Sequence, residues 1–113
     1  MHVEREVQQD KSKEFWCKIF LTRQDFVVGM CDQKLLGTVL NFKSKKVKIK
    51  VSKEFYGGVQ IDEKIAVRIM KRATIANLMG AQIVELAEKN GFISKENIIL
   101  INEVPHAQFV KII

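Results

Sequence analysis

Hydrophobic and polar residues alternate along several parts of this chain, and alternation of this kind is typical of strands with one buried face. Residues 14–23 and 26–31 each predict a strand, and the two residues between them predict a hairpin turn. Such a hairpin would bring Cys17 and Cys31 nearly opposite each other. Two alternatives stay open for this pair: two reduced, buried thiols, or a disulfide.

The middle of the chain carries a row of lysines. Between residues 46 and 51 lysine alternates with valine or isoleucine, which predicts a strand with an apolar face toward the core; residues 38–42 should be extended before it. Seven lysines and no acid lie between Gln33 and Lys53. Because like charges in a row repel each other, this pattern indicates a surface kept for an anionic partner, most commonly a phosphate backbone. The lysines that we assign to this surface are Lys43, Lys45, Lys46, Lys48, Lys50 and Lys53.

Two segments have the apolar spacing of helices. Asp62 predicts the N-cap of a helix that runs to about Arg72, and residues 81–90 predict a second helix that Gly91 ends. Asp32 is also expected to cap a short helical turn through Leu36. The polar face of the first helix forms a second basic stripe, for which a solvated face and a binding role are both open: Lys64, Arg68, Lys71 and Arg72.

The remaining segments complete the predicted fold. Residues 52–58 predict a tight turn, since Gly57 and Gly58 permit positive φ. Residues 73–80 predict a buried extended segment, and residues 98–101 and 108–113 predict strands separated by residues 103–107. We expect an α+β (mixed α/β) fold: a single compact domain over residues 14–113, with a mixed sheet, an N-terminal β-hairpin and two main helices. Residues 1–13 are expected to form a flexible N-terminal tail.

Composition narrows the function classes. The 113 residues carry a net charge of +6, and 47% of them are hydrophobic, so the chain is globular and basic. No apolar run approaches the roughly 20 residues that cross a bilayer, and the N-terminus lacks an apolar signal region. We therefore expect a cytoplasmic protein without a membrane partner. Acids, cysteines and histidines show no metal-ligand spacing, so no metal or cofactor is expected, and no residue is assigned as catalytic.

Some polar and aromatic residues are candidates for a ligand site. A lone His106 could act as a general base only with an orienting partner, so we predict a hydrogen-bonded staple between loops. Asn77 is expected to be a buried amide that ties backbone groups together. Gly80, before the second helix, could leave N–H groups free for a phosphate, although one glycine is a weak signal. Trp16 and Phe20 are expected in the core, with base stacking as the alternative, and Tyr56 is predicted to be the better exposed aromatic residue.

A family resemblance rests on three motifs that occur in this order and spacing: Phe55-Tyr56-Gly57-Gly58, Ala73-Thr74-Ile75-Ala76-Asn77-Leu78-Met79-Gly80 and Val104-Pro105-His106-Ala107-Gln108. Together with Cys31-Asp32 and Leu35-Leu36-Gly37, they resemble the archaeal domain-of-unknown-function family 424, over about residues 15–113. The resemblance implies an archaeal cytosolic protein of a family without an established activity, and a weak association with translation. The lysine row is not part of the family pattern.

Three hypotheses for function follow. The first is a non-catalytic RNA-binding protein, associated with the ribosome or translation, that contacts phosphates through its lysines with little base readout. The alternative is a small enzyme or ligand-binding domain with a pocket built from Asn77, Gly80, His106 and Gln108. Tyr56, Gly57 and Gly58 are further motif residues that we keep as candidates for ligand contacts. The third is an adaptor whose basic face meets an acidic protein. A closed pocket would favour the second hypothesis, and a basic face without one the first.

Overall fold

A computed structural model describes residues 13–112. The predicted tail, residues 1–13, lies outside this range except for Lys13. Short 3-10 turns at Gln33–Leu35, Lys43–Lys45 and Lys95–Asn97 join some of the elements. The described helices are α1 (Lys53–Tyr56), α2 (Glu63–Arg72) and α3 (Ala81–Lys89). The described strands are β1 (Glu14–Leu21), β2 (Phe26–Asp32), β3 (Val39–Phe42), β4 (Val47–Lys50), β5 (Val59–Asp62), β6 (Ile75–Met79), β7 (Ile98–Ile101) and β8 (Val104–Val110).

Six strands form one mixed sheet in the order β5-β1-β2-β6-β8-β7. All neighbours are antiparallel except β2 and β6, which run parallel at the centre. The predicted hairpin of β1 and β2 is confirmed, with Trp16 opposite Cys31 and Cys17 opposite Met30. The predicted α+β class is confirmed as well. Strands β3 and β4 pair only with each other, as an antiparallel ribbon (residues 39–50, the ribbon below).

The sheet has a buried cluster on each side. Phe15, Met30 and Leu78 belong to the larger cluster, which α2 and α3 cover; we name this side the helix face. Cys31 and Met79 belong to the smaller cluster, which the ribbon and α1 cover; we name this side the ribbon face. Because side chains alternate along a strand, residues next to each other in one strand serve different clusters.

This alternation decides the state of the cysteines. Cys17 lies in the helix-face cluster and Cys31 in the ribbon-face cluster, so the sheet itself separates their sulfur atoms. The disulfide alternative is therefore wrong: both thiols are free and buried. Burial raises the pKa of Cys17 to about 11. Burial, together with the Asp32 charge, raises the pKa of Cys31 to about 12.

The two predicted main helices are confirmed, together with the Asp62 cap of the first and the Gly91 end of the second. The Asp62 carboxylate accepts a hydrogen bond from the Ile65 N–H at 2.9 Å and so begins α2, which ends at Arg72. Gly91 follows α3 with a φ of +80°, the left-handed conformation that glycine adopts without strain. The buried extended segment predicted over residues 73–80 is β6.

One local prediction, for the segment after the ribbon, is wrong. Residues 52–58 do not form a glycine turn: Ser52 caps the short helix α1 by accepting from the Phe55 N–H, which adds a third helix to the two expected. Gly57 has a φ of −93°, and Gly58 is needed for close approach, since a Cβ there would collide with the Cys17 carbonyl. Residues after α1 then add the edge strand β5, which the sequence pattern did not predict.

The last hairpin is tighter than expected. Residues 103–107 were predicted to separate two strands, but only Asn102 and Glu103 form the turn, with φ of +50° and +69°. Pro105 and His106 therefore lie within β8, and His106 is a strand residue rather than a loop residue. Between residues 13 and 112, none of the helices is long and apolar enough to cross a membrane.

Candidate nucleic-acid interface

The ribbon has one apolar side and one polar side. Leu40 faces Ile49, and Phe42 faces Val47, on the side that packs toward the sheet. Leu40 is buried, but Val47 near the tip keeps 48% of its surface exposed. The apolar row predicted for residues 47–51 therefore reaches the core only in part: Val51 is fully buried, whereas Val47 is about half exposed.

The predicted lysines lie on the other side of the ribbon and at its tip. Lys48 faces Asn41 and Lys50 faces Val39 on the outer side. The tip is the 3-10 turn Lys43–Lys45, closed by Lys46 in the left-handed conformation with a φ of +56°. All these lysines are exposed, as is Lys53 at the start of α1. In the part of the chain that the structure describes, the one ion pair joins Lys95 to Glu88 at 3.4 Å, so no ribbon lysine is neutralised there.

The second basic stripe lies elsewhere. The side chains of Lys64, Arg68, Lys71 and Arg72 are exposed on α2, as predicted from the helical pattern. However, α2 packs against the helix face, and the ribbon packs against the ribbon face. The two basic sets are therefore on opposite sides of the sheet and do not form one surface.

Three of the motif residues meet on the ribbon face, next to the part that the ribbon covers. Asn77 lies directly opposite Gln108, and His106 is two residues before Gln108 on the same face of β8. Asn77 and His106 are half-buried and Gln108 is exposed. Together with Ile75 and Val110, they form a group that we name the open patch. Among residues 13–112, none of the three polar side chains makes a hydrogen bond to another side chain or to the backbone.

His106 therefore does not form the hydrogen-bonded staple that the sequence predicted. In the sheet, His106 is paired with Met79 of β6 and with Ile99 of β7, residues that share its face. Burial lowers its pKa below the usual 6.5, because the imidazolium form loses hydration there. The neutral ring is consequently the dominant form at pH 7, and it offers one donor and one acceptor to a ligand.

Gly80 is separate from the open patch. The Asp32 carboxylate fills the N-terminus of α3: Oδ2 accepts from the Gln82 N–H at 3.0 Å, and Oδ1 from the Ile83 N–H at 2.8 Å. Gly80 has a φ of +124°, and a Cβ there would collide with that carboxylate. The N–H groups considered for a phosphate are thus already bonded. The cap predicted for Asp32 on the turn after it is wrong, since the 3-10 turn has no side-chain cap.

A cleft of about 430 Å³ lies beside this cap. Its walls come from the end of β2, the start of α3 and the β7–β8 turn, with Asp32, Lys34, Gln82 and Pro105 among them. Burial raises the pKa of Asp32, and its two backbone hydrogen bonds oppose that change. The cleft does not include Asn77, His106 or Gln108, so the motif residues are on an open surface rather than in the closed pocket of the alternative hypothesis.

The aromatic residues match the prediction only in part: Trp16 packs against the ribbon-face cluster as expected, but Tyr56 does not lie at the surface. Tyr56 is only 6% exposed, and burial raises its pKa to about 12, so it is not a surface contact. Phe55 instead lies over Gly29 of β2, where a Cβ would come within 2.6 Å of the Phe55 carbonyl oxygen. Phe20 stacks on Phe55 with ring centroids 5.6 Å apart, and both rings are half-buried. A glycine inside a strand often marks a place where another part of the backbone comes close. Gly29 was therefore the one sign in the sequence that a segment such as Phe55 packs on β2.

The described residues 13–112 hold no group of three or more histidines, cysteines or acids that could bind a metal ion. The chemistry available on the ribbon face is therefore that of ammonium groups, amides, one neutral imidazole and aromatic rings. These groups bind phosphates and planar polar molecules.

Comparisons with known proteins agree with the fold. No curated protein matches the sequence. A solved structure described as "an uncharacterized conserved protein from Methanopyrus kandleri", an archaeon, is similar in fold, with a TM-score of 0.72 and 22% sequence identity over 88% of this chain and 95% of that chain. The family described as "Protein of unknown function (DUF424)" matches residues 21–112. Because that match spans most of the chain, the protein belongs to the DUF424 family.

Proposed function

We propose that this protein binds RNA through its phosphate backbone, without catalysing a reaction, and that the ribbon is the contact surface. The observation that carries the proposal is the row of exposed lysines on the outer side and tip of the ribbon, to which no described acid is paired. The proposal requires a cytoplasmic location. There, ribosomal RNA and the translation machinery are the most abundant negatively charged partners for a basic surface.

The geometry supports backbone contact rather than sequence readout by the ribbon. Lysine ammonium groups are compact charges on flexible stems, so exposed lysines can follow phosphates of varied spacing. The 3-10 turn Lys43–Lys45 and the left-handed Lys46 place charges at the tip of the two-stranded ribbon, where Val47 is about half exposed. Each phosphate that the lysines neutralise releases counterions, so affinity must depend strongly on salt.

We expect the ribbon triple variant Lys46→Gln, Lys48→Gln, Lys50→Gln to weaken RNA binding about tenfold or more at low salt. If about four phosphates are neutralised, log affinity for a single strand should fall with log salt at a slope of about −3, and the variant should flatten that slope. Fluorescence anisotropy with a labelled 12-nucleotide RNA measures both quantities.

The matched control replaces three exposed lysines on the other side of the molecule, Lys64, Lys71 and Lys89, by glutamine, with the same change in net charge. It should retain most of the affinity. Equal losses in the two triples would mean that net charge alone attracts RNA, and a loss confined to the control would move the interface to α2.

An acidic protein would present the same sign of charge to the ribbon. A pull-down of the tagged protein from native cytosol, with and without RNase, separates the two partners. We expect the captured material to be RNase-sensitive and to sediment with ribosomal particles on a sucrose gradient. Capture that survives RNase and depends on the ribbon lysines would instead favour the adaptor hypothesis.

A further inference from the structure

We infer that the open patch binds an unpaired nucleobase of the RNA whose phosphates the ribbon holds, so that the protein selects single-stranded over double-stranded RNA. This inference rests on the proposed function and adds a base-binding site to it. The argument comes from what the patch exposes, from its neighbours and from its position relative to the ribbon.

The patch holds two side-chain amides on the sheet surface, with Asn77 half-buried and Gln108 exposed. Asn77 and Gln108 are direct partners across β6 and β8, a spacing that places their Cβ atoms about 5 Å apart. Their amide groups form no hydrogen bonds within residues 13–112. Each amide offers two hydrogen-bond donors and one acceptor. The edge of a nucleobase also carries donors and acceptors, so the two amides together can make a bidentate contact with it.

The surroundings of the amides suit a flat, partly apolar ligand. Val110 and Ile99 on the ribbon face are 60% and 48% exposed, and Ile75 is half-buried beside Asn77. The Phe20–Phe55 stack lies over β1 and β2, where Phe55 covers Gly29, the strand partner of Asn77. Aromatic rings next to free amides on a sheet are suited to stack on and hydrogen-bond unpaired bases, which a duplex keeps inside its stack.

Charge favours nucleic acid as the occupant. The row that crosses the sheet through the patch reads Lys18, Gly29, Asn77 and Gln108, and the next row reads Phe20, Val27, Ile75 and Val110. Neither row contains an acid. The ribbon packs on the same face of the sheet as these rows, over Cys31 and Met79. A strand held by ribbon lysines can therefore lay a base on the patch without crossing to the other side of the molecule.

The test compares a 12-nucleotide single-stranded RNA with a 12-base-pair RNA duplex by fluorescence anisotropy. We expect the native protein to bind the single strand at least tenfold more tightly. Gln108→Ala, at an exposed position that the fold does not need, should weaken single-strand binding about fivefold. The pair Asn77→Ala, Gln108→Ala should weaken it about tenfold or more. Neither variant should change duplex binding.

Gln82→Ala, an exposed amide on α3 at the other side of the sheet, is the matched control and should change neither affinity. The ribbon triple variant should weaken both RNAs. The base site is overturned if the native protein binds both RNAs equally or if the open-patch variants keep the single-strand preference, although the ribbon proposal then stands. Equal losses for strand and duplex in Gln108→Ala would also overturn it, because they would show a phosphate contact. Absence of binding to either RNA overturns both proposals.

Discussion

At the scale of single residues, Asp32 has the clearest structural role. Its carboxylate accepts from two backbone N–H groups at the start of α3, and it does so from the end of β2, fifty residues away in sequence. This contact joins the parallel centre of the sheet to the helix that covers it. Gly80 is the matching requirement, since any side chain there would meet the carboxylate.

We expect Asp32→Ala to lower the free energy of unfolding by about 1–2 kcal/mol, because two helix N–H groups lose their acceptor. Gly80→Ala should cost about 2 kcal/mol or more, through the collision and the positive φ. In the Asp32→Ala background the collision is absent, so the same glycine substitution should cost at least about 0.5 kcal/mol less. Urea unfolding of the native protein, the two single variants and the double variant completes this double-mutant cycle. If the two losses of stability simply add, Asp32 and Gly80 do not interact.

His106 should make stability depend on pH. Its pKa is lowered in the folded protein, so between the usual value near 6.5 and the folded value the unfolded chain binds more protons. The stability that the neutral His106 contributes to the folded protein is therefore complete above a pH of about 6.5. It is lost as the pH falls below that value.

We therefore expect the His106→Gln variant to lose less stability than the native protein when the pH falls from 7 to 5. At pH 7 the free energies of unfolding of the two proteins should differ by less than about 1 kcal/mol. Unfolding curves at both pH values measure this, and the other titrating groups cancel in the comparison. An NMR titration of His106 gives its pKa directly; a value at or above 6.5 would contradict the prediction.

At the scale of helices and strands, the sequence predicted those elements whose pattern is local. Alternation in β1 and β2, the Asp62 cap of α2 and Gly91 after α3 depend on neighbouring residues, and all are confirmed. The structure departs from prediction where distant contacts decide. Helix α1 is only four residues long, and it lies over Gly29 of another element, which a local pattern does not show.

The same distinction applies to the site. Asn77, His106 and Gln108 were expected to share a site, and the pairing of β6 with β8 brings them together. Gly80 was expected with them, but the Asp32 carboxylate occupies its surroundings. Whether two cysteines of a hairpin face each other depends on a shift of one residue in register, and side chains of adjacent rows point to opposite faces. Sequence alone does not specify that shift.

At the scale of the whole molecule, two clusters of unequal size share one sheet. The helix-face cluster is covered by α2 and α3, whereas the ribbon-face cluster depends on a two-stranded ribbon and the single turn of α1. Isolated two-stranded ribbons are marginally stable in water. In the proposed function the ribbon is also the part that binds RNA. Binding elements commonly belong to the less stable parts of a fold, so the ribbon is expected to open more readily than the helix face.

The two buried cysteines can report on these clusters separately. We expect the Cys31 thiol, measured in a Cys17→Ala variant, to react with a thiol reagent faster than Cys17 does in a Cys31→Ala variant, under native conditions. Opening of the ribbon exposes Cys31, whereas Cys17 requires the helix face to open. Because burial raises both pKa values to about 11 or 12, neither thiol reacts appreciably while the protein is closed.

The two rates should also respond differently to denaturant, since local opening exposes less surface than global unfolding. Cys31 should show a weak dependence on urea at low concentration and then merge with the Cys17 rate as global unfolding takes over. Saturating single-stranded RNA should slow the Cys31 reaction selectively, because RNA bound across ribbon and sheet favours the closed state. Equal rates with equal urea dependence would instead show that the ribbon and the sheet unfold as one cooperative unit.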